Sequence, residues 1–193
     1  MPRALTLLAL AFCLNLLLSS CGTSYATTQP ATPKGRFYAT SKRLSEISNL
    51  PDYNWKFKLE STSEPVFAWH KSGNLATITL SQGLVDATKS EHELAILLGQ
   101  AMAHVSLRHP NSQDFTKYND YKIREADRLG MAYAAKAIYY PRPAKQLWRR
   151  LQKQYGNNPY VGFHWTDGRE ETYTWNIEPI MRLYNGRKNN TVF

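Results

Sequence analysis

Gln100 and His104 stand four residues apart in Gln100-Ala101-Met102-Ala103-His104, a spacing that sets two side chains on one face of a helix. Side chains so placed can share a metal ion or a proton, and the residue types decide which. The imidazole of His104 suits either task. The amide of Gln100 is a neutral oxygen donor and a poor zinc ligand. Ala101 can neither accept nor deliver a proton. Downstream, Glu125 and Asp127 are two carboxylates on a later expected helix. His70 and His92 are isolated and read as ordinary polar surface. Thiol chemistry is excluded from the body of the chain, because both cysteines, Cys13 and Cys21, lie in its first 21 residues.

The elements that must position these groups follow from hydrophobic period. Phe37 to Leu50 reads as an early helix closed by Pro51. Trp55, Phe57 and Leu59 alternate with charged residues, as a half-buried strand does. Val66 to His70, the turn Ser72-Gly73-Asn74 and Leu75 to Leu80 read as a hairpin or small sheet. Helices are then expected over residues 90–109, 119–140, 143–155 and 168–184, so that strands precede helices in an α+β domain. Ser90 followed by Glu93 is a capping box for the first of these. Its Leu94, Leu97, Leu98, Ala101 and Val105 form one apolar stripe and Ile96, Ala103 and Leu107 another. Gln100 and His104 lie on the edge between two apolar arcs, where a polar pair needs a partner. On the next helix Ile123, Ala126, Asp127, Gly130, Ala134 and Ala137 share one face, and Glu125 points about 160° from Asp127. Glu125 is therefore expected in solvent near Lys122 or Lys136.

At the N-terminus Arg3 precedes an apolar run, Ala4 to Leu18, too short for the roughly 20 residues of a membrane span and suited to a signal sequence. Leu18-Ser19-Ser20-Cys21-Gly22 resembles a bacterial lipobox. The resemblance implies cleavage before Cys21 and acylation (palmitate-type chains) of its thiol and new amino terminus. Gly22 after the cysteine implies sorting to an outer membrane facing the periplasm. The expected organisation is a signal peptide over residues 1–20, a Ser/Thr/Pro/Gly-rich tether over 21–36 and one domain over 37–193. Loss of Arg3 lowers the formal charge from +9 to +8.

Pro65 to His109, Ile123 to Gly130 (IREADRLG) and His164 to Arg169 (HWTDGR) together resemble the HtpX and CAAX-prenyl-protease type of zinc metallopeptidase. That family carries HExxH on a helix reached from a hairpin, an ExxxD helix downstream and a His-Pro…Arg loop. The resemblance implies a mainly helical, zincin-type metallopeptidase-like α+β domain, with a small antiparallel sheet beside the former active-site helix. It also implies ligand positions at Gln100, His104 and Ile123, a base position at Ala101, a second-shell Asp127 and loop remnants at His164 and Arg169. Only His104 keeps its family type. No catalytic residue, no metal ligation and no cofactor are therefore expected, and His104 and Asp127 are expected to pair with each other or with Gln100. The alternative is an active zinc endopeptidase with displaced ligands His104, Glu125 and His109 or His164.

Relatives grip unfolded envelope proteins along an edge strand beside the active site, which maps here onto Val66, Phe67, Ala68, Trp69 and His70. The resemblance thus implies a lipid-anchored pseudoenzyme that binds or regulates envelope proteins in quality control. Lys145, Arg149 and Lys153 lie in i,i+4 register on a segment with no acid, opposite Leu147, Trp148, Leu151 and Tyr155. Such a face is either simply solvated or drawn to an anionic envelope polymer. The export signal and the absence of a nucleic-acid-binding motif exclude nucleic acid as a partner.

Overall fold

Side-chain caps set where most of the helices begin. The structure, a computed structural model, describes residues 32–47, 50–112, 119–156 and 167–190. Helix α1 (Pro33–Ser45) starts where Thr32 Oγ1 accepts the Gly35 amide at 3.1 Å and Pro33 occupies the first turn. It begins four residues before the expected Phe37, inside the stretch expected to be tether, and ends well before Pro51. Its buried side, Phe37, Thr40, Ser41 and Leu44, faces the core.

Three strands follow: β1 (Asn54–Glu60), β2 (Phe67–Ser72) and β3 (Leu75–Ser81), in the order β1-β3-β2. β2 and β3 form an antiparallel hairpin, Phe67 opposite Leu80, turning at Gly73 with φ +57°. β1 runs parallel to β3, Asn54 opposite Leu75, so the sheet is mixed and not antiparallel throughout. The reason is burial. β3 carries Ala76, Ile78 and Leu80, all fully buried, and the most apolar strand takes the centre. The crossover from β1 to β2 then passes over its end. There Gly83 donates to Thr62 O at 2.9 Å, and a Cβ on Gly83 would lie 2.1 Å from Ser63 O. A short helix the sequence pattern did not indicate, α2 (Gln82–Asp86), is started by Ser81, whose Oγ accepts the Leu84 amide at 3.2 Å.

Helix α3 (Glu91–Ser106) is the centre of the domain, with every residue from Glu93 to Val105 buried. Ser90 Oγ accepts the Glu93 amide at 3.3 Å, while the Glu93 carboxylate reaches one residue further back, to the Lys89 amide at 2.6 Å. Helix α4 (Asp120–Lys136), capped by Asn119, crosses α3 at two glycines. A Cβ on Gly99 would stand 2.6 Å from Gly130 O, and one on Gly130 2.6 Å from Gln100 Cα. Backbones this close bring Gln100 on α3 against Asp127, one turn before Gly130. Helices α5 (Ala144–Tyr155) and α6 (Asp167–Asn189) complete the packing, α5 burying Leu147, Trp148 and Leu151 as expected. The architecture is α+β and mainly helical, the fold class read from the sequence.

Candidate functional site

The buried face between α3, α4 and α6 holds one continuous polar cluster. Gln100 Nε2 donates to Asp127 Oδ1 at 2.6 Å. Arg169, in the first turn of α6, grips the same carboxylate with two bonds of 2.7 Å, from Nε to Oδ2 and from Nη2 to Oδ1. Its Nη2 also lies 3.4 Å from the Tyr173 hydroxyl, and its guanidinium stands 4.6 Å from the Trp148 ring centre. Asp127 is 2% exposed and Arg169 0%. Burial pushes the Asp127 carboxyl upward, and the bonds from Arg169, Tyr173 and Gln100 oppose that push. The Asp127 charge holds the Arg169 guanidinium protonated beyond its ordinary range. A fork-to-fork pair of this geometry is an ion pair, with four charge-assisted or neutral donors arranged to replace lost water.

Asp127 therefore pairs with Arg169 and Gln100, and not with His104. Arg169, expected in a loop, is a helical residue at the heart of the core. The sequence signal for it was thin: Arg169 and Tyr173 stand four apart on one helix face, and an apolar Trp148 waits on α5.

His104 belongs to a second group. Its ring stacks on Trp69 of β2, centroids 4.1 Å apart at 12°, and its Nδ1 lies 3.0 Å from Nδ1 of His109. His109 Nε2 in turn lies 3.5 Å from Glu125 Oε2. Burial lowers the His104 pKa well below its usual value, with His109 and Arg169 adding to the effect, so its ring is neutral. Burial also lowers that of His109, against the pull of Glu125. A carboxylate at Nε2 favours the proton there, so His109 Nδ1 accepts and His104 Nδ1 donates. Glu125, expected in solvent near Lys122 or Lys136, instead faces His109, because Arg108 at φ +56° turns the chain after α3 back towards α4.

The residues do not fit a zinc centre of the kind the helix spacing suggests. Three protein ligands and an open position are needed. Gln100 spends its amide nitrogen on Asp127; its Oε1 is buried with no partner among the described residues and is the one donor atom left to it. His104 is the one zinc-ligand type kept at these positions, its Nδ1 bonded to His109, while Ile123 has no donor atom and Ala101 has no base. Among the described residues no group of three or more His, Cys, Asp or Glu side chains is arranged to hold a metal ion. His164 and Cys21 lie outside the described residues.

Other expected positions are distributed as follows. His70 is exposed, whereas His92 is not free surface: its Nδ1 accepts the Tyr140 amide at 3.2 Å. The basic residues of α5 meet an acid from α6. Glu170 binds both Lys145 and Arg149, the latter at 2.6 Å, and leaves Lys153 exposed. Val66 to His70 does lie at a sheet edge, but the outward backbone groups of Trp69, and the amide of Lys71 just beyond the segment, are already engaged. The Trp69 amide donates to Ser112 Oγ at 3.1 Å, the Ser112 amide to Trp69 O at 3.0 Å and the Lys71 amide to Asn111 Oδ1 at 2.8 Å. Trp69 Nε1 adds a bond to Pro110 O at 3.0 Å.

A sheet, a buried helix reached from its hairpin, and a second helix crossing at glycines make a metallopeptidase-like domain. Residues 32–123 match the model of peptidase family M48, a little under half of the chain. That match supports metallopeptidase-like ancestry, takes in everything from α1 to the first turn of α4, and stops short of Asp127 and Arg169. No curated protein matches the chain.

Proposed function

We propose that this protein is a non-catalytic relative of zinc metallopeptidases, anchored to the outer membrane by lipid on Cys21, that binds or regulates envelope proteins on the periplasmic side. In this reading residues 1–20 are the signal, a short tether follows Cys21, and the remainder is one domain. The observation that carries it is the Gln100–Asp127 hydrogen bond of 2.6 Å within a cluster closed to solvent. Where a relative would hold a metal and a water, this chain holds an amide, an ion pair and the methyl group of Ala101. The cluster supports the helix crossing, and Gln100 Oε1, its atom with no partner among the described residues, is an amide oxygen too weakly basic to activate water.

A second reading has one observation in its favour. His104, His109 and Glu125 stand in a row, at 3.0 and 3.5 Å, and could serve as displaced ligands of an active endopeptidase. The histidines would first have to turn from each other to a common point, and a new base would be needed. Metal analysis of the purified protein, with a casein cleavage assay, decides between them. The first reading expects substoichiometric zinc and no cleavage; one zinc per chain with chelator-sensitive cleavage overturns it.

A further inference from the structure

The two edges of the sheet are in opposite states. On β2, Trp69 and Lys71 spend their outward amides on Ser112 and Asn111 of the same chain. On β1, the Asn54 amide donates to Asn74 O at 2.8 Å, so Asn54, Lys56, Lys58 and Glu60 point their backbone groups at β3. By the alternation of a strand, the amides and carbonyls of Trp55, Phe57 and Leu59 point away from the sheet. They have no hydrogen-bond partner among the described residues. The side chains of these three pack inward against the core, and Lys56 and Lys58 stand exposed on the other face.

We infer that β1 is a docking edge for an extended segment of another protein in which acidic and apolar residues alternate. Strand addition supplies the missing backbone partners at Trp55, Phe57 and Leu59. The side chains opposite Lys56 and Lys58 lie on the solvent face, within reach of cross-strand pairing, and carboxylates there are favoured. Lys58 already rests on Glu60 at 2.8 Å, an exposed pair that an incoming carboxylate can share at little cost. A second copy of this chain is a poor occupant. Antiparallel self-pairing about Phe57 sets Lys56 directly opposite Lys58, like charge on like charge. The two lysines thus refuse self-association and basic strands while admitting acidic ones.

This inference rests on the binding role proposed above but names a different edge from the one expected beside α3, and it does not depend on the absence of metal. The test uses the full chain with two ten-residue peptides, one alternating Glu and Val, the other Lys and Val, and reads affinity and amide hydrogen exchange. The Glu–Val peptide at saturation is expected to slow exchange at Trp55, Phe57 and Leu59 by about tenfold or more, with no such change from the Lys–Val peptide. Lys56→Glu with Lys58→Glu should reverse the preference, and Lys56→Gln with Lys58→Gln should abolish it. Protection appearing at β2 instead, no protection from either peptide, or a preference unchanged by the charge reversal would each overturn it. Zinc-dependent cleavage by the same sample would sink the pseudoenzyme reading and leave this one standing.

Discussion

Arg169 holds Asp127 by two hydrogen bonds of 2.7 Å, although the residues are 42 apart in sequence and neither side chain has any exposed surface. Truncating either partner leaves the other charge buried and unpaired, which costs about 3–5 kcal/mol. Arg169→Met and Asp127→Leu should each destabilise the domain by that order in urea unfolding. The double variant should cost much less than the sum, because it buries neither charge. Additive costs would mean that the two side chains do not act as a pair.

The helix crossing predicts a contrast between glycines. At Gly130 a Cβ would lie 2.6 Å from both Cα and N of Gln100, backbone atoms that cannot give way. Gly130→Ala should cost roughly 1–3 kcal/mol through overpacking, and it should loosen the Gln100–Asp127 bond. Gly186, on the exposed face of α6, has nothing within 4 Å of its would-be Cβ. Gly186→Ala should therefore stabilise, by about 0.5–1 kcal/mol. Thermal or urea unfolding of the two variants reads both signs.

What could be read without the structure was whatever repeats locally. The Ser90 cap, the two apolar arcs of α3, the shared face of Ile123, Asp127 and Gly130 and the hairpin at Gly73 all follow from periods of two and 3.6 residues. Long-range choices were not so written. That β3 rather than β1 lies central depends on which strand buries most, and that Asp127 takes Arg169 rather than His104 depends on where α6 docks. Glu125 was misplaced for a similar reason. A helical wheel gives its direction correctly but says nothing of His109, which reaches it from the turn after α3. The basic face on α5 had its acid, Glu170, on another helix.

The buried histidines predict a pH dependence of stability. Burial holds the folded pKa of His104 well below 6.5, and that of His109 is lowered as well. Above about 6.5 both folded and unfolded chains keep them neutral, and the stability is fully present. As pH falls below that value the unfolded chain takes up protons that the folded chain refuses, so stability is lost, by up to about 1.4 kcal/mol per pH unit for each histidine. Urea titrations between pH 7 and pH 5 should show this decline. His104→Phe, which keeps an aromatic ring against Trp69, should flatten it; an unchanged slope would place the proton uptake elsewhere.

Rebuilding the metal site tests the register of α3 against α4. Gln100 and His104 lie one turn apart on α3, and Ile123 lies one turn before Asp127 on the face of α4 that packs there. Gln100→His and Ile123→Glu would add the two absent ligands, and Ala101→Glu the base, while Asp127 and Arg169 remain to hold the new first ligand from behind. The triple variant should bind one zinc per chain, detectable in the purified protein, and each single change should not, because fewer than three protein ligands would converge. His104 would supply the third ligand, so His104→Ala in the triple background should abolish binding. If the triple variant binds no zinc while remaining folded, Ile123 is not the position that faces Gln100 and His104. Glu125 cannot take that place without leaving His109, which it meets at 3.5 Å.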